Sequence, residues 1–287
     1  MSMKNNKVHD RIAGAVYGFA IGDAMGATTE FMTEAQIAKC YGKVTDIIGG
    51  GWLSLKPGSV TDDTEMMLCV CRALMQTQKR EDVFGYSFMR ACRNEFVKWF
   101  KGNPKDVGGQ CAKAIKTMMS GKLAASCDDE ALGNGGLMRA LPCAVLDRTF
   151  LNEAQGRLTH NNDRSTECIE IYHRNIVNLI KDVPKRCLSH PTALMEPTGC
   201  VYNSVNNALY WASSCRTFED VLIGAVNHGG DADTIGALAG GLAGARFGAN
   251  AIPNRWIQKL DPKVKAELDK FIKFACKEVG TMYDCEV

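Results

Sequence analysis

The chain has almost no net charge: 34 Lys and Arg stand against 32 Asp and Glu in 287 residues. Without a surplus of either sign there is no field to draw in a polyanion, which excludes nucleic acid or an anionic membrane surface as the main partner. Zinc-site spacings are missing too, since the five histidines form no H-x-x-x-H or H-x-x-E-H pair and the thirteen cysteines contain no C-x-x-C. Those cysteines are odd in number and scattered, and the closest two, Cys69 and Cys71, sit in an apolar helical run. They read as reduced, mostly buried thiols rather than a disulfide framework. No apolar stretch is long enough to span a bilayer: the run from Ile12 to Ala27 is broken by Asp23, and "MSMKNNKVHDR" offers no signal-peptide core. A cytoplasmic protein without stable membrane insertion is expected, and nothing in the sequence sets an oligomeric state.

Alternating strand patterns, internal repeats and low-complexity tracts are also absent, and composition does not break along the chain, so a single domain over residues 1–287 is expected. What is present is helical periodicity. Val264, Leu268, Phe271, Ile272, Ala275 and Val279 make one apolar stripe, and similar stripes run through Thr64 to Gln76 and Thr166 to Ile180. Thr217 and Asp220 stand at capping-box spacing before another helix. The glycines of "TDIIGGGWLSL" argue for loop over strand, and the prolines of "KDVPKRCLSHPTALMEPTGC" mark a long loop before a helix that begins near Tyr202.

Charge is concentrated at two places. "GSVTDDTEMML" sets Thr61, Asp62 and Asp63 at one helix start, and "HGGDADTIGALAGGLAGARFG" sets Asp231, Asp233 and Thr234 at another. A carboxylate at a helix N-terminus is favoured by about 0.3–1 kcal/mol, which accounts for one aspartate at each start and less well for two. The two motifs are either separate caps that never meet or halves of one site. Brought together, four carboxylates would repel one another unless cations sat between them, and oxygen-only ligands select Mg²⁺ or Mn²⁺, with two ions bringing the charge near zero. The small residues after Asp233, from Gly236 to Gly244, suit a narrow central helix closely surrounded by neighbours.

Two further stretches stand out. "GNGGLMRALP" places Gly133, Asn134, Gly135 and Gly136 in a loop whose bare N–H groups could approach phosphate oxygens, ahead of a buried helix near Met138 and Leu141. It lacks the Lys and Ser/Thr of a P-loop and is not G-x-G-x-x-G after a strand. In "GFAIGDAMGATTEF", Asp23 and Glu30 lie deep in apolar surroundings, where a carboxylate needs a partner. Asp23 is suited to capping or bonding backbone, and Glu30 to reaching the metals or orienting their water.

Together and in this order, these motifs, with "DVGGQC" and the Thr159–His160 pair, resemble the ADP-ribosylglycohydrolase family, most closely its bacterial dinitrogenase-reductase-activating branch, over essentially the whole chain through "IPNRWIQKLD". The resemblance implies an all-α, orthogonally packed helical domain with a dinuclear Mg²⁺ or Mn²⁺ centre. Thr61, Asp62, Asp63, Asp231, Asp233 and Thr234 would be its ligands, with Glu30 beside them. It implies hydrolysis of the bond between ADP-ribose and an arginine side chain of a modified protein, with Asp106 near the scissile linkage and Asp106 or Glu30 moving protons. Gly133, Asn134, Gly135, Gly136, Met138 and His160 would line the ADP-ribose cleft, with Gly108 and Cys200 toward the target side chain.

Two positions depart from that branch. Gly109 stands where it usually has an asparagine after "DVG", and Cys200 where it tends to have a tyrosine, which leaves Tyr202 as the candidate aromatic for stacking on a guanidinium. The alternatives are hydrolysis of another ADP-ribose linkage (serine-linked or O-acetyl-ADP-ribose), a non-enzymatic binder on the same scaffold, or a dinuclear phosphohydrolase. The last commonly adds histidine ligands, which both acidic motifs lack.

Overall fold

In the computed structural model, residues 3–77, 85–183, 188 and 190–284 are described. Among them the regular structure is helical: α1 (Met3–Gly26), α2 (Glu34–Tyr41), α3 (Asp62–Thr77), α4 (Tyr86–Lys101), α5 (Gly109–Met119), α6 (Leu141–Val145), α7 (Thr149–Arg157), α8 (Asp163–Ile180), α9 (Val201–Ser214), α10 (Phe218–Asn227), α11 (Ala232–Phe247), α12 (Asn254–Lys259) and α13 (Pro262–Asp284). No strand occurs among the described residues, only isolated bridges between Gly50 and Leu55 and between Gly133 and Cys200.

The expected helices form where their apolar stripes predict. In α13, Leu268, Phe271, Ala275 and Val279 are buried; in α3, Met67, Val70, Cys71 and Leu74; in α8, Ile169, Tyr172, Ile176 and Ile180. Thr217 caps α10 by accepting the Asp220 N–H at 3.1 Å, and Asn162 caps α8 by accepting the Ser165 N–H at 2.8 Å. Six of the eleven described cysteines are buried and none of the eleven is in a disulfide, as expected of reduced thiols. Part of the proline-marked loop, residues 184–187 and 189, lies outside the described residues.

The narrow helix expected after Asp233 is α11, buried on every side from Ala232 to Ala245. Its closest neighbour is α1, which runs antiparallel to it. Gly14, Gly18, Gly22 and Gly26 face Gly244, Gly240, Gly236 and Ala232 in turn, and a Cβ on any of these α1 glycines would run into the facing carbonyl. With glycine every fourth residue on one face, the two backbones touch directly, and the C-terminal end of α1 and the N-terminal end of α11 are held in fixed register.

That register positions the chemistry. The C-terminal end of α1 carries Asp23, whose carboxylate accepts the N–H of Thr61 at 3.0 Å and the N–H of Thr64 at 3.0 Å. Asp23 therefore caps α3 from another helix, the backbone-bonding role expected of it, and brings the start of α3 beside the start of α11.

Candidate metal centre and cleft

The two acidic helix starts meet. Thr234 Oγ1, at the head of α11, donates to Asp63 Oδ2 at 3.3 Å. Glu30, Asp231 and Asp233 each turn a carboxylate oxygen to within 4.8 Å of the others. Glu30 thus joins the α11 pair directly rather than standing outside it.

Its place depends on an unusual backbone. Phe31 donates its N–H to Gly230 O at 2.7 Å and Gly230 returns its own to Met32 O at 2.8 Å, while Phe31, Gly229 and Gly230 all have positive φ (61°, 79° and 62°). For a phenylalanine this region is costly and is maintained only by surrounding contacts. The clamp fastens the Glu30 segment to the Asp231 segment, and Trp52 Nε1 donates to Glu30 Oε2 at 2.6 Å. Trp52 reaches that point from the glycine loop: Gly50 and Leu55 exchange backbone hydrogen bonds of 2.8 and 2.9 Å.

Asp231 precedes α11 without capping it; instead its Oδ2 accepts from Asn134 Nδ2 at 2.5 Å. Asn134 opens a 3₁₀ turn, Asn134–Gly136, in place of the open glycine loop expected, and its backbone N–H goes to Gly199 O at 3.0 Å. Gly135 is needed there: a Cβ would lie 2.6 Å from the Cys111 sulfur and 2.8 Å from His160 Cε1. On the other side, Gly108 donates its N–H to Asp62 Oδ2 at 3.3 Å, tying the segment that carries Asp106 to α3.

A cleft of about 220 Å³ lies among these elements. Of the sequence-predicted residues, Glu30, Asp62, Asp63, Asp106, Gly108, Gly133, Asn134, Gly135, Met138, His160, Asp231, Asp233 and Thr234 line it. Thr61, Gly136 and Cys200 do not. Thr61 lines a second cavity of about 710 Å³ that shares Asp62 and Asp106 with the cleft; Gly136 packs behind the turn near Gly156; Cys200 joins through the backbone bridge to Gly133. Tyr202 lines a different groove, with Ile171 and Arg174. The aromatic at the cleft is Phe31, 67% exposed, with its ring 5.4 Å from that of Trp52. Sequence reasoning missed both residues, and only their adjacency to Glu30 and to the triple glycine pointed to them.

No Lys or Arg is among the described residues lining this cleft. Burial, the Trp52 hydrogen bond acting against it, and the charges of Asp106, Asp231 and Asp62 leave Glu30 pushed up to about 8. Burial first, then Asp106, raises Asp62 to about 7. Burial raises Asp231 to about 6 against its Asn134 bond. Asp63 and Asp233 are raised well above the carboxylate range by burial, then by each other or by Glu30. The carboxylates here are mutually uncompensated, and the buried Oδ1 of Asp63 has no hydrogen-bond partner. A buried, oxygen-only, acidic set with an orphaned oxygen fits divalent cations of the Mg²⁺ or Mn²⁺ type, with no soft donor among the closest carboxylates.

Comparisons with known proteins point to one family. The family profile described as ADP-ribosylglycohydrolase matches residues 4–193 and 173–282. The chain is 38% identical to an ADP-ribosyl-[dinitrogen reductase] glycohydrolase of Rhodospirillum rubrum, covering 93% of this chain and 95% of that protein. It is 28% identical to the ADP-ribosylarginine hydrolase Tri1 of Pseudomonas putida, over 88% and 74%. A solved structure titled ADP-ribosylglycohydrolase-related protein complex superposes with a TM-score of 0.77 at 27% identity, covering 94% of this chain and 99% of that one.

Proposed function

The chain belongs to the ADP-ribosylglycohydrolase family, and from that membership we propose that it is a hydrolase that removes ADP-ribose from modified arginine side chains of a protein, using divalent cations. The observation that carries this reading is the convergence of Asp63, Asp231, Asp233, Thr234 and Glu30 on a cleft that is also lined by Asn134, Gly135 and His160. The whole of residues 1–287 acts as one catalytic domain, and its partner is the ADP-ribosylated protein, not nucleic acid or a membrane. No helix of the described residues is long and apolar enough to cross a bilayer. Unpaired cysteines support a reducing, cytoplasmic location.

Asp62, Asp63, Asp231, Asp233 and Glu30, with the hydroxyls of Thr61 and Thr234, are the residues that would hold Mg²⁺ or Mn²⁺. When bound, such ions supply Lewis-acid polarisation of ribose hydroxyls and of water. The chain's own residues do the rest. Gly108, anchored on Asp62, presents Asp106 to the cleft, and burial holds that carboxyl above its ordinary value. Asp106 is therefore suited to carry the proton that the leaving guanidine nitrogen gains as the glycosidic C–N bond breaks, while water supplies the hydroxyl that the anomeric carbon gains. The Phe31 clamp keeps Glu30 at the cleft, where its carboxylate orients the attacking water. Phe31, exposed at the rim, is the aromatic against which a guanidinium could stack in place of the tyrosine that Cys200 replaces.

The test is release of ADP-ribose from an arginine-modified protein, with Mg²⁺, with Mn²⁺ and after chelation, beside a serine-linked control. Release from arginine that stops on chelation is expected; release unaffected by chelation, or from the serine linkage alone, would overturn the reading.

A further inference from the structure

Behind the Asn134–Gly136 turn lies a buried charge that the proposed chemistry does not use. Arg139 is fully buried, and a guanidinium stays protonated in proteins. Among the described residues no carboxylate pairs with it. It donates to Gln155 Oε1 at 2.8 Å, Gln155 O at 2.9 Å, Thr159 Oγ1 at 2.7 Å, the Gly135 carbonyl and the Cys111 sulfur at 3.8 Å. The Phe96 ring covers it at 4.7 Å. A buried cation without an anion is costly, so its retention against the cleft wall calls for an anion on the other side.

Thr159 links this cation to His160. Its Oγ1 lies 2.9 Å from His160 Nδ1. Arginine only donates, so Thr159 gives one lone pair to Arg139 and has one hydrogen of its own to place. Nδ1 is the strong acceptor within reach; the other neighbour, the Cys111 thiol, is a weak one. Were Nδ1 to carry the hydrogen instead, the buried hydroxyl would be left against sulfur. An imidazolium is disfavoured as well, because burial, followed by the Arg139 charge, pushes His160 down to about 3. The ring's other nitrogen faces the cleft: a Cβ at Gly133 would meet Nε2 at 3.1 Å, and His160 is among the lining residues.

The cleft is thus polarised. Its acidic cluster is the place for cations, and the His160 side offers a neutral donor with a guanidinium behind it. Resting on the reading that this cleft holds ADP-ribose, we propose that Arg139, acting through Thr159, is a positioning residue that fixes His160 as the Nε2–H tautomer, so that the ring donates to an anionic oxygen of the ligand's diphosphate. The same device favours ligands bearing a diphosphate over the corresponding nucleoside.

The full chain labelled with ¹⁵N-histidine tests this by long-range ¹H–¹⁵N correlation, with His160 identified by its loss in His160→Gln. The wild type is expected to show the Nε2–H pattern, Thr159→Ser to keep it and Thr159→Val to lose it. In calorimetric titrations Thr159→Val should bind ADP-ribose about tenfold more weakly, equivalent to about 1.4 kcal/mol, and adenosine as the wild type does. An Nδ1–H pattern in the wild type, or Thr159→Val binding ADP-ribose as tightly as the wild type, would overturn the proposal. If Thr159→Val does not fold, the wild-type spectrum alone decides the tautomer. A wild type that shows Nε2–H yet binds no ADP-ribose would instead sink the functional reading and leave the tautomer lock standing.

Discussion

Gly236→Ala isolates the contact that sets the register of the candidate metal centre. Gly236 lies in α11 two residues beyond Thr234, and a Cβ there would stand 2.7 Å from the Gly22 carbonyl oxygen and 3.2 Å from Val226 Cγ1. Ordinary contact begins at 3.4 Å, and the first obstacle is backbone in a helix that cannot swing aside. The helices must part by about 0.7 Å, and inserting a methyl into such packing costs about 1–3 kcal/mol or more. Helix propensity works the other way, since alanine in a helix interior is favoured over glycine by about 1 kcal/mol. Overpacking wins because Gly22 is followed by Asp23, the cap of α3, so parting the helices also strains the bonds to Thr61 and Thr64. A net loss of about 1–2 kcal/mol is expected by urea unfolding, together with weaker Mn²⁺ binding by calorimetry. Gly109→Ala, where a Cβ meets nothing within 4 Å, is the control and should unfold as the wild type does. If Gly236→Ala proves more stable than the wild type, propensity alone governs the position and the backbone contact is wrong.

Two further perturbations probe the charges. Mn²⁺ at a hundred times its Kd should stabilise the chelated protein by about 2.7 kcal/mol, and Asp63→Asn should lose that response while being no less stable than the wild type without metal, because it removes an uncompensated buried carboxyl. The folded values of Asp231, Asp62 and Glu30, about 6, 7 and 8, lie above the ordinary carboxylate range, so the metal-free fold loses stability as pH rises through them. The Mn²⁺-induced shift in Tm should therefore grow from pH 5 to pH 8, and a shift independent of pH would refute the assignment. His160 has the opposite sign. Its folded value of about 3 lies below the ordinary 6.5, so the unfolded chain takes up a proton that the buried ring refuses. Its contribution is intact above pH 6.5 and falls by about 2 kcal/mol by pH 5. His160→Gln should flatten the pH dependence of unfolding by that amount, and an unchanged slope would mean the ring is not buried beside Arg139.

How far the sequence discloses this molecule depends on the range of the interaction involved. Amphipathic stripes are local, so α3, α8 and α13 are readable from spacing, and the caps at Thr217 and Asn162 bond residues only three positions away. The α1–α11 contact is half readable. The run after Asp233 announces a narrow helix by itself, but glycines at 14, 18, 22 and 26 become meaningful only when a second helix supplies carbonyls at the same four-residue interval.

The acidic centre shows the same boundary most sharply. Two aspartates at a helix start look alike whether they cap or bind, and spacing cannot tell the cases apart. What separates them is where the cap comes from. Asp23, 38 and 41 residues before the amides it accepts, takes over the capping of α3, and Asp231 gives its oxygen to Asn134 rather than to its own helix. Relieved of capping, the buried Asp62 and Asp63 and the half-buried Asp231 are left without cationic partners, an arrangement that costs stability in every state except the one in which a cation is bound. Removing that charge should stabilise the metal-free fold and abolish the site: Asp63→Asn with Asp233→Asn is expected to raise the Tm of the chelated protein and to eliminate Mn²⁺ binding. A double variant less stable than the chelated wild type would show that these carboxylates serve the fold after all.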